Sequence, residues 1–141
     1  MTAGTGIRHS EMNPSDTELV HFVQMWVPPD TEGLAPGYEQ RDVNALLAAG
    51  GLQPVAAGPG QGGAIEIHQR DAALWAGRLA AGEQVSVPRS PHAHVFVAVG
   101  RADLDRAGLL EAGDAVRLVD AGPLELTAGP GGAEVLMWAT G

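Results

Sequence analysis

Apolar positions along this chain fall in short runs, each bounded by glycine, proline or small polar residues. Runs of that kind predict β-strands joined by turns rather than long amphipathic helices. Residues 5–13 read as a strand, and Asn13-Pro14-Ser15-Asp16 as a turn with proline at its second position. Residues 19–27 form a strongly apolar strand that Pro28-Pro29-Asp30 closes, and 28–37 form a loop. A short strand at 38–41 precedes a short helix from Asp42 to Ala49, with Asp42 as its N-cap and Gly50-Gly51 as its stop. Gly58-Pro59-Gly60-Gln61-Gly62-Gly63 is the clearest turn.

The second half continues as a regular series of strands at 64–68, 74–79, 84–87, 94–99, 115–120, 123–127 and 134–138. Gly100, Gly113, Gly122 and Gly129-Pro130-Gly131-Gly132 separate them. Strands at this spacing predict an all-β fold, closed or double-sheeted in the manner of a jelly roll, which also protects sheet edges. At 141 residues the chain is one ordinary domain, or one domain and a piece of another, large enough to build a core without covalent staples.

Composition narrows the chemistry. There is no cysteine, which excludes disulfides, thiolate metal sites and cysteine nucleophiles. All eight basic residues are arginine and stand against 17 acidic ones, a net charge of −9. That balance disfavours direct binding to nucleic acid or to an anionic membrane, since both require basic patches. Arginine in place of lysine, with abundant Ala, Gly and Val, points to a GC-rich bacterial source. Neither a signal-peptide pattern nor an apolar run of membrane-spanning length is present, so a cytoplasmic location is expected. No nucleophile elbow or zinc-finger spacing occurs, and the glycines at 58–63 lack the lysine of a phosphate loop.

The best candidate for chemistry is His9-Ser10-Glu11. On a strand, residues two apart project from the same face. An imidazole nitrogen and a carboxylate oxygen so placed converge on a metal ion at roughly 2.0 to 2.2 Å. The bland alternative is a solvated pair near a strand end.

The residues around the pair carry a resemblance. MTAGTGIRHSEMNPSD followed by ELVHFVQMWVPPDTEGLAPGYEQ is similar to the pirin family, which includes bacterial quercetinase-like proteins. AIEIHQRDAALWAGRLAAGE resembles the opening of that family's second cupin, and LLEAGDAVRLVD with LELTAGPGGAEVLMW its last strands. The most specific part is the Thr2-Ala3-Gly4 to His9-Ser10-Glu11 segment. The resemblance implies two cupin barrels, of which the first holds a metal. It divides the chain into residues 1–40, the last strands of a first, metal-type cupin; 41–63, a linker with a short helix and a glycine-rich turn; and 64–141, a complete second cupin. By resemblance His9 and Glu11 match the third and fourth ligands. The first two are a His-x-His pair on an earlier strand, and no such pair precedes Thr2 here. The expectation is therefore a pirin without the upstream half of its first cupin, through natural truncation or a start-site error, and with an incomplete metal site.

Two readings of function follow from the resemblance. In the first, a divalent metal (iron foremost, with zinc, nickel or copper as alternatives) is held for dioxygenation of a flavonol-like substrate, with Glu11 as both ligand and base. In the second, the protein is a non-catalytic cupin that acts as a binding or assembly module. Strand 19–27, left without its barrel, then drives homo-oligomerisation. His92-Ala93-His94 is a second His-x-His pair. Ala98 and Val99 stand where a cupin motif would place its carboxylate, and no histidine follows His94. It reads as the polar start of a strand, with one imidazole outward and one partly packed. A composite site joining His92 and His94 to His9 and Glu11, within a chain or across a dimer, is the alternative. His21 and His68 read as histidines that hold local structure, and Trp26, Trp75 and Trp138 as core or pocket walls.

Overall fold

The computed structural model describes all 141 residues. It contains one helical turn and eight strands: α1 (Asn44–Leu47), β1 (Gln53–Ala57), β2 (Ile65–Glu66), β3 (Ala72–Leu79), β4 (Gln84–Ser86), β5 (His92–Leu104), β6 (Gly108–Glu111), β7 (Ala115–Val119) and β8 (Glu125–Thr140). The strands form a single sheet of order β2-β1-β3-β8-β5-β6, with β4 also paired to β8 and β7 also paired to β5. All pairings are antiparallel except β1 with β2. The expected all-β architecture is the one observed.

Two long strands organise this sheet, and both bend at the same level. In β5 the inward residues are Val95 and Val97, then Ala102 and Leu104. In β8 they are Leu126 and Ala128, then Ala133, Val135, Met137 and Ala139. The inward phase therefore switches once in each strand, which a bulge achieves and an unbroken two-residue alternation does not. The switch in β5 coincides with register shifts at Val97/Val99 and Gly100/Ala102. Gly100 pairs with Ala133 there, and a Cβ on Gly100 would lie 2.3 Å from the Gly132 carbonyl oxygen. Gly100 and Gly132 also hold φ of 76° and 77°, a region that side-chain-bearing residues rarely adopt. The backbones thus meet where only glycine fits. Bent in this way, the sheet curls around one core of 15 buried residues, among them Leu79, Val95, Leu104, Leu126 and Met137.

Several boundaries differ from the sequence reading. Gly129-Pro130-Gly131-Gly132, read as a turn, is the bend inside β8, because the neighbouring strands keep both halves paired through it. β1 lies in the stretch read as linker, and its pairing to β3 supplies what its sequence pattern does not advertise. β6 was not anticipated; it adds to the edge of β5 through Arg101–Leu104. The helix is shorter than read, with the Asp42 carboxylate accepting the Asn44 N–H at 2.8 Å.

The largest difference is at the start of the chain. Residues 5–13, 19–27 and 38–41, all read as strands, belong to no strand; Thr2 with Gly37 forms the single bridge among residues 1–43. The main chain of residues 7–29 makes no hydrogen bond to main chain anywhere. A strand needs a neighbour, and here no edge lies beside these residues. No residue before Ala57 is buried.

Candidate metal centre

The turn read at Asn13-Pro14-Ser15-Asp16 brings Gln24 to the candidate pair. The Asn13 carboxamide donates to the Glu18 carbonyl at 2.6 Å, and its oxygen accepts the Ser15 N–H at 3.1 Å. The Ser15 hydroxyl in turn accepts the Glu18 N–H at 2.9 Å. These side-chain bonds reverse the chain as Asx and Ser turns do. They lay residues 19–27 back along 5–13.

His9 and Glu11 end up side by side, with Nδ1 of His9 3.9 Å from Oε1 of Glu11. Two donors of one tetrahedral ion stand about 3.4 Å apart, so a small side-chain adjustment lets both reach the same cation. The side chains are 40% and 45% exposed, open enough to be met from outside. Gln24 completes the arrangement by donating its amide to Glu11 Oε1 at 3.2 Å. Sequence reasoning missed Gln24. Its signal was a lone carboxamide inside the apolar run Leu19–Val27, where an amide side chain is kept for a hydrogen bond.

Two donors are half of a four-coordinate set, and no group of three or more His, Asp or Glu side chains stands close enough to hold an ion. The residues of one copy therefore do not fit a metal by themselves. Within one chain the composite with His92 and His94 does not form. Those two histidines open β5, His92 opposite Thr140 and Val119, His94 opposite Trp138 and Arg117. Being two apart on a strand they share one face, and both are exposed, which corrects the reading of one outward and one packed.

The remaining predicted residues also find places. His21 is exposed and its ring makes no hydrogen bond. His68 does hold a loop, but through its carbonyl, which accepts the Asp30 N–H at 2.8 Å. Asp30 then takes the Arg70 main-chain N–H at 2.8 Å and its Nε at 3.2 Å, an anchor that tethers the first segment to the sheet. The Arg70 N–H first, and its guanidinium after it, hold the Asp30 carboxyl below its ordinary value of 3.8 despite some desolvation. Trp75 packs on the core and Trp138 donates its indole N–H to the Met25 sulfur at 3.2 Å. Trp26 is 88% exposed and is no core wall. Open polar depressions occur at Arg101, Glu111 and Gly131, and at Arg89, Ser90 and Asp120; neither touches His9 or Glu11.

Comparison with known proteins agrees with this anatomy. Residues 55–138 match the model of the quercetinase C-terminal cupin domain, and residues 1–27 match the pirin model. A relative in Mycobacterium tuberculosis, provisionally named a quercetin 2,3-dioxygenase, is 50% identical over 98% of this chain and 57% of its own length. The quercetin 2,3-dioxygenase of Escherichia coli K12 is 44% identical over 60% of this chain and 35% of its own. The chain thus spans little more than half the length of the mycobacterial relative. Among solved structures, YhhW of Escherichia coli superposes with a TM-score of 0.68 at 23% identity, covering 80% of this chain and 47% of YhhW. A further structure, described as bacterial pirin YhhW in complex with nickel(II), gives 0.65 at 22% identity over 79% of this chain and 47% of that one. At those identities the likeness speaks for the fold, which is the cupin fold. With more than half of its residues in the quercetinase C-terminal cupin and its start in the pirin model, the chain belongs to the pirin family.

Proposed function

We propose that this chain is a pirin-type cupin that carries two of the four donors of a divalent-metal centre, His9 and Glu11, and is not a catalyst as a single copy. The observation that carries the reading is the pair itself: a nitrogen and an oxygen 3.9 Å apart, with a carboxamide orienting the carboxylate and no third donor near. Orientation of a ligand by an outer hydrogen bond is the usual construction of a metal centre. The relatives named quercetin 2,3-dioxygenase and the nickel(II) complex support a divalent ion there, with iron, nickel, copper and zinc all compatible with imidazole and carboxylate. Such an ion would supply Lewis acidity for dioxygenation of a flavonol-like substrate. Glu11, exposed and held by Gln24, is the side chain able to accept a proton from a substrate hydroxyl.

The test is the metal content of the monomeric fraction after dialysis, together with quercetin consumption. The reading expects neither bound metal nor turnover from the monomer. One tightly held ion per monomer, lost on His9→Ala, would overturn it.

A second reading, an assembly module, draws on a different observation. Leu19, Val20, Phe22, Met25 and Trp26 are all exposed, Leu19 completely. Clustered exposed apolar side chains on unpaired backbone are the mark of an interaction surface.

A further inference from the structure

We propose that the outer face of the sheet at the start of β5 is a binding site for an aromatic carboxylate. His92, His94 and Arg117 hold its charge, and Phe96 and Trp138 hold its ring. The site stands on β5, β7 and β8 and uses neither His9 nor Glu11.

Strand pairing builds the site. Val95 and Val97 of β5 point into the core, so His92, His94 and Phe96 point outward. Directly opposite residues of antiparallel strands share a face, with Cβ atoms about 5 Å apart. His94 therefore stands between Trp138 of β8 and Arg117 of β7, and His92 between Thr140 and Val119. One rung further on, Phe96 stands between Leu136 and Ala115. The two histidines and Arg117 are exposed, whereas Phe96, Leu136 and Trp138 are half-buried. A cationic corner thus adjoins an apolar floor, and the Trp138 indole is held in place by its N–H bond to Met25.

The charge is the unexpected part. In a chain with 17 acidic residues, Arg41, Arg70 and Arg78 each take a carboxylate. None of the four ion pairs in the molecule involves His92, His94 or Arg117. Asp120, just past Val119, lines the separate depression at Arg89 and Ser90 instead. A guanidinium fork beside two imidazoles presents donors that fit a carboxylate. The same guanidinium opposes a metal cation, so the imidazoles do not read as metal ligands. The half-buried rings beside them suit a flat aromatic body, which selects an aromatic acid over a bare anion.

The experiment titrates the full chain with benzoate, followed by tryptophan fluorescence and calorimetry. Phosphate (charge without a ring) and benzyl alcohol (a ring without charge) are titrated beside it. Saturable benzoate binding is expected, at least about tenfold tighter than either of the other two. Arg117→Gln weakens it at least about tenfold and His94→Ala about threefold. Both variants melt as the parent chain does, because the two side chains are exposed. Arg101→Gln, which removes an exposed arginine elsewhere on β5, leaves benzoate binding unaltered. No saturation below about 10 mM benzoate would overturn the site. So would phosphate or benzyl alcohol bound as tightly as benzoate, or benzoate binding retained by Arg117→Gln. An equal loss in Arg101→Gln and Arg117→Gln would reduce the effect to overall charge and overturn it too.

Discussion

Residues 1–43 and residues 53–140 are built from similar sequence and meet different fates. Both contain apolar runs punctuated by glycine and proline. In the second region every run has a paired neighbour and all the burial of the molecule is found there. In the first region the run Leu19–Val27 is at least as apolar as β5, yet it is unpaired and exposed. Local pattern is therefore alike in both, and only the supply of a partner edge turns it into sheet. The difference also sorts the chemistry: the region that holds the core has no donor cluster, and the region with the candidate donors has no core.

The sharpest way to break this comparison is to remove a similar side chain from each region. Leu126 is 1% exposed within the core, and Leu126→Ala should cost roughly 2–5 kcal/mol through lost burial and a cavity. Leu19→Ala should stay within about 0.5 kcal/mol in the monomer, because Leu19 is fully exposed. Urea unfolding of the monomer measures both. Equal losses would mean that the first region folds onto the second.

A smaller effect tests what closes the second region. Gly100→Ala places a Cβ against the Gly132 carbonyl and forces a positive φ on alanine, so a loss of about 1–3 kcal/mol is expected. The unfolding slope should be unchanged if only the bend is strained. Gly108→Ala is the control, since a Cβ there meets nothing and only the φ of 82° is penalised.

These two regions also explain what the sequence could and could not tell. The all-β fold and most strand positions from Ala72 onward were legible, because alternation, turn glycines and pairing all agree there. The bend at Gly129-Pro130-Gly131-Gly132 was not legible. Glycine and proline mark a turn or a bulge alike, and only the continuing partner strands decide between them. β1 and β6 were missed because their pairing comes from β3 and β5 rather than from their own periodicity. At the candidate site the closeness of His9 and Glu11 was legible from their spacing of two, whereas a ligand role for them comes only from the family resemblance. Gln24 stood out only as a lone carboxamide in an apolar run, and nothing local marks its partner 13 residues away or joins Asp30 to Arg70 across 40 residues.

The anchor gives the smallest expected effect and the most selective one. Asp30 joins the two regions through the Arg70 main-chain N–H, the Arg70 guanidinium and its own N–H to the His68 carbonyl. Its carboxyl is depressed below 3.8, so the folded state prefers the ionised form. The sign follows from linkage: the contribution is fully present above pH 3.8 and is lost as the pH falls below that value through the lower folded pKa. Acidification across that window should therefore release residues 1–29 before it unsettles the sheet. Limited proteolysis with pepsin, active at those pH values, should cut within the first region faster as pH drops. The ellipticity of the sheet should stay constant meanwhile. Asp30→Asn should bring the fast cutting to higher pH and flatten its pH dependence, since the amide keeps an acceptor for the Arg70 N–H but has no charge for the guanidinium. A sheet signal that falls in step with the cutting would show that the two regions unfold as one, and the division between them would then be wrong.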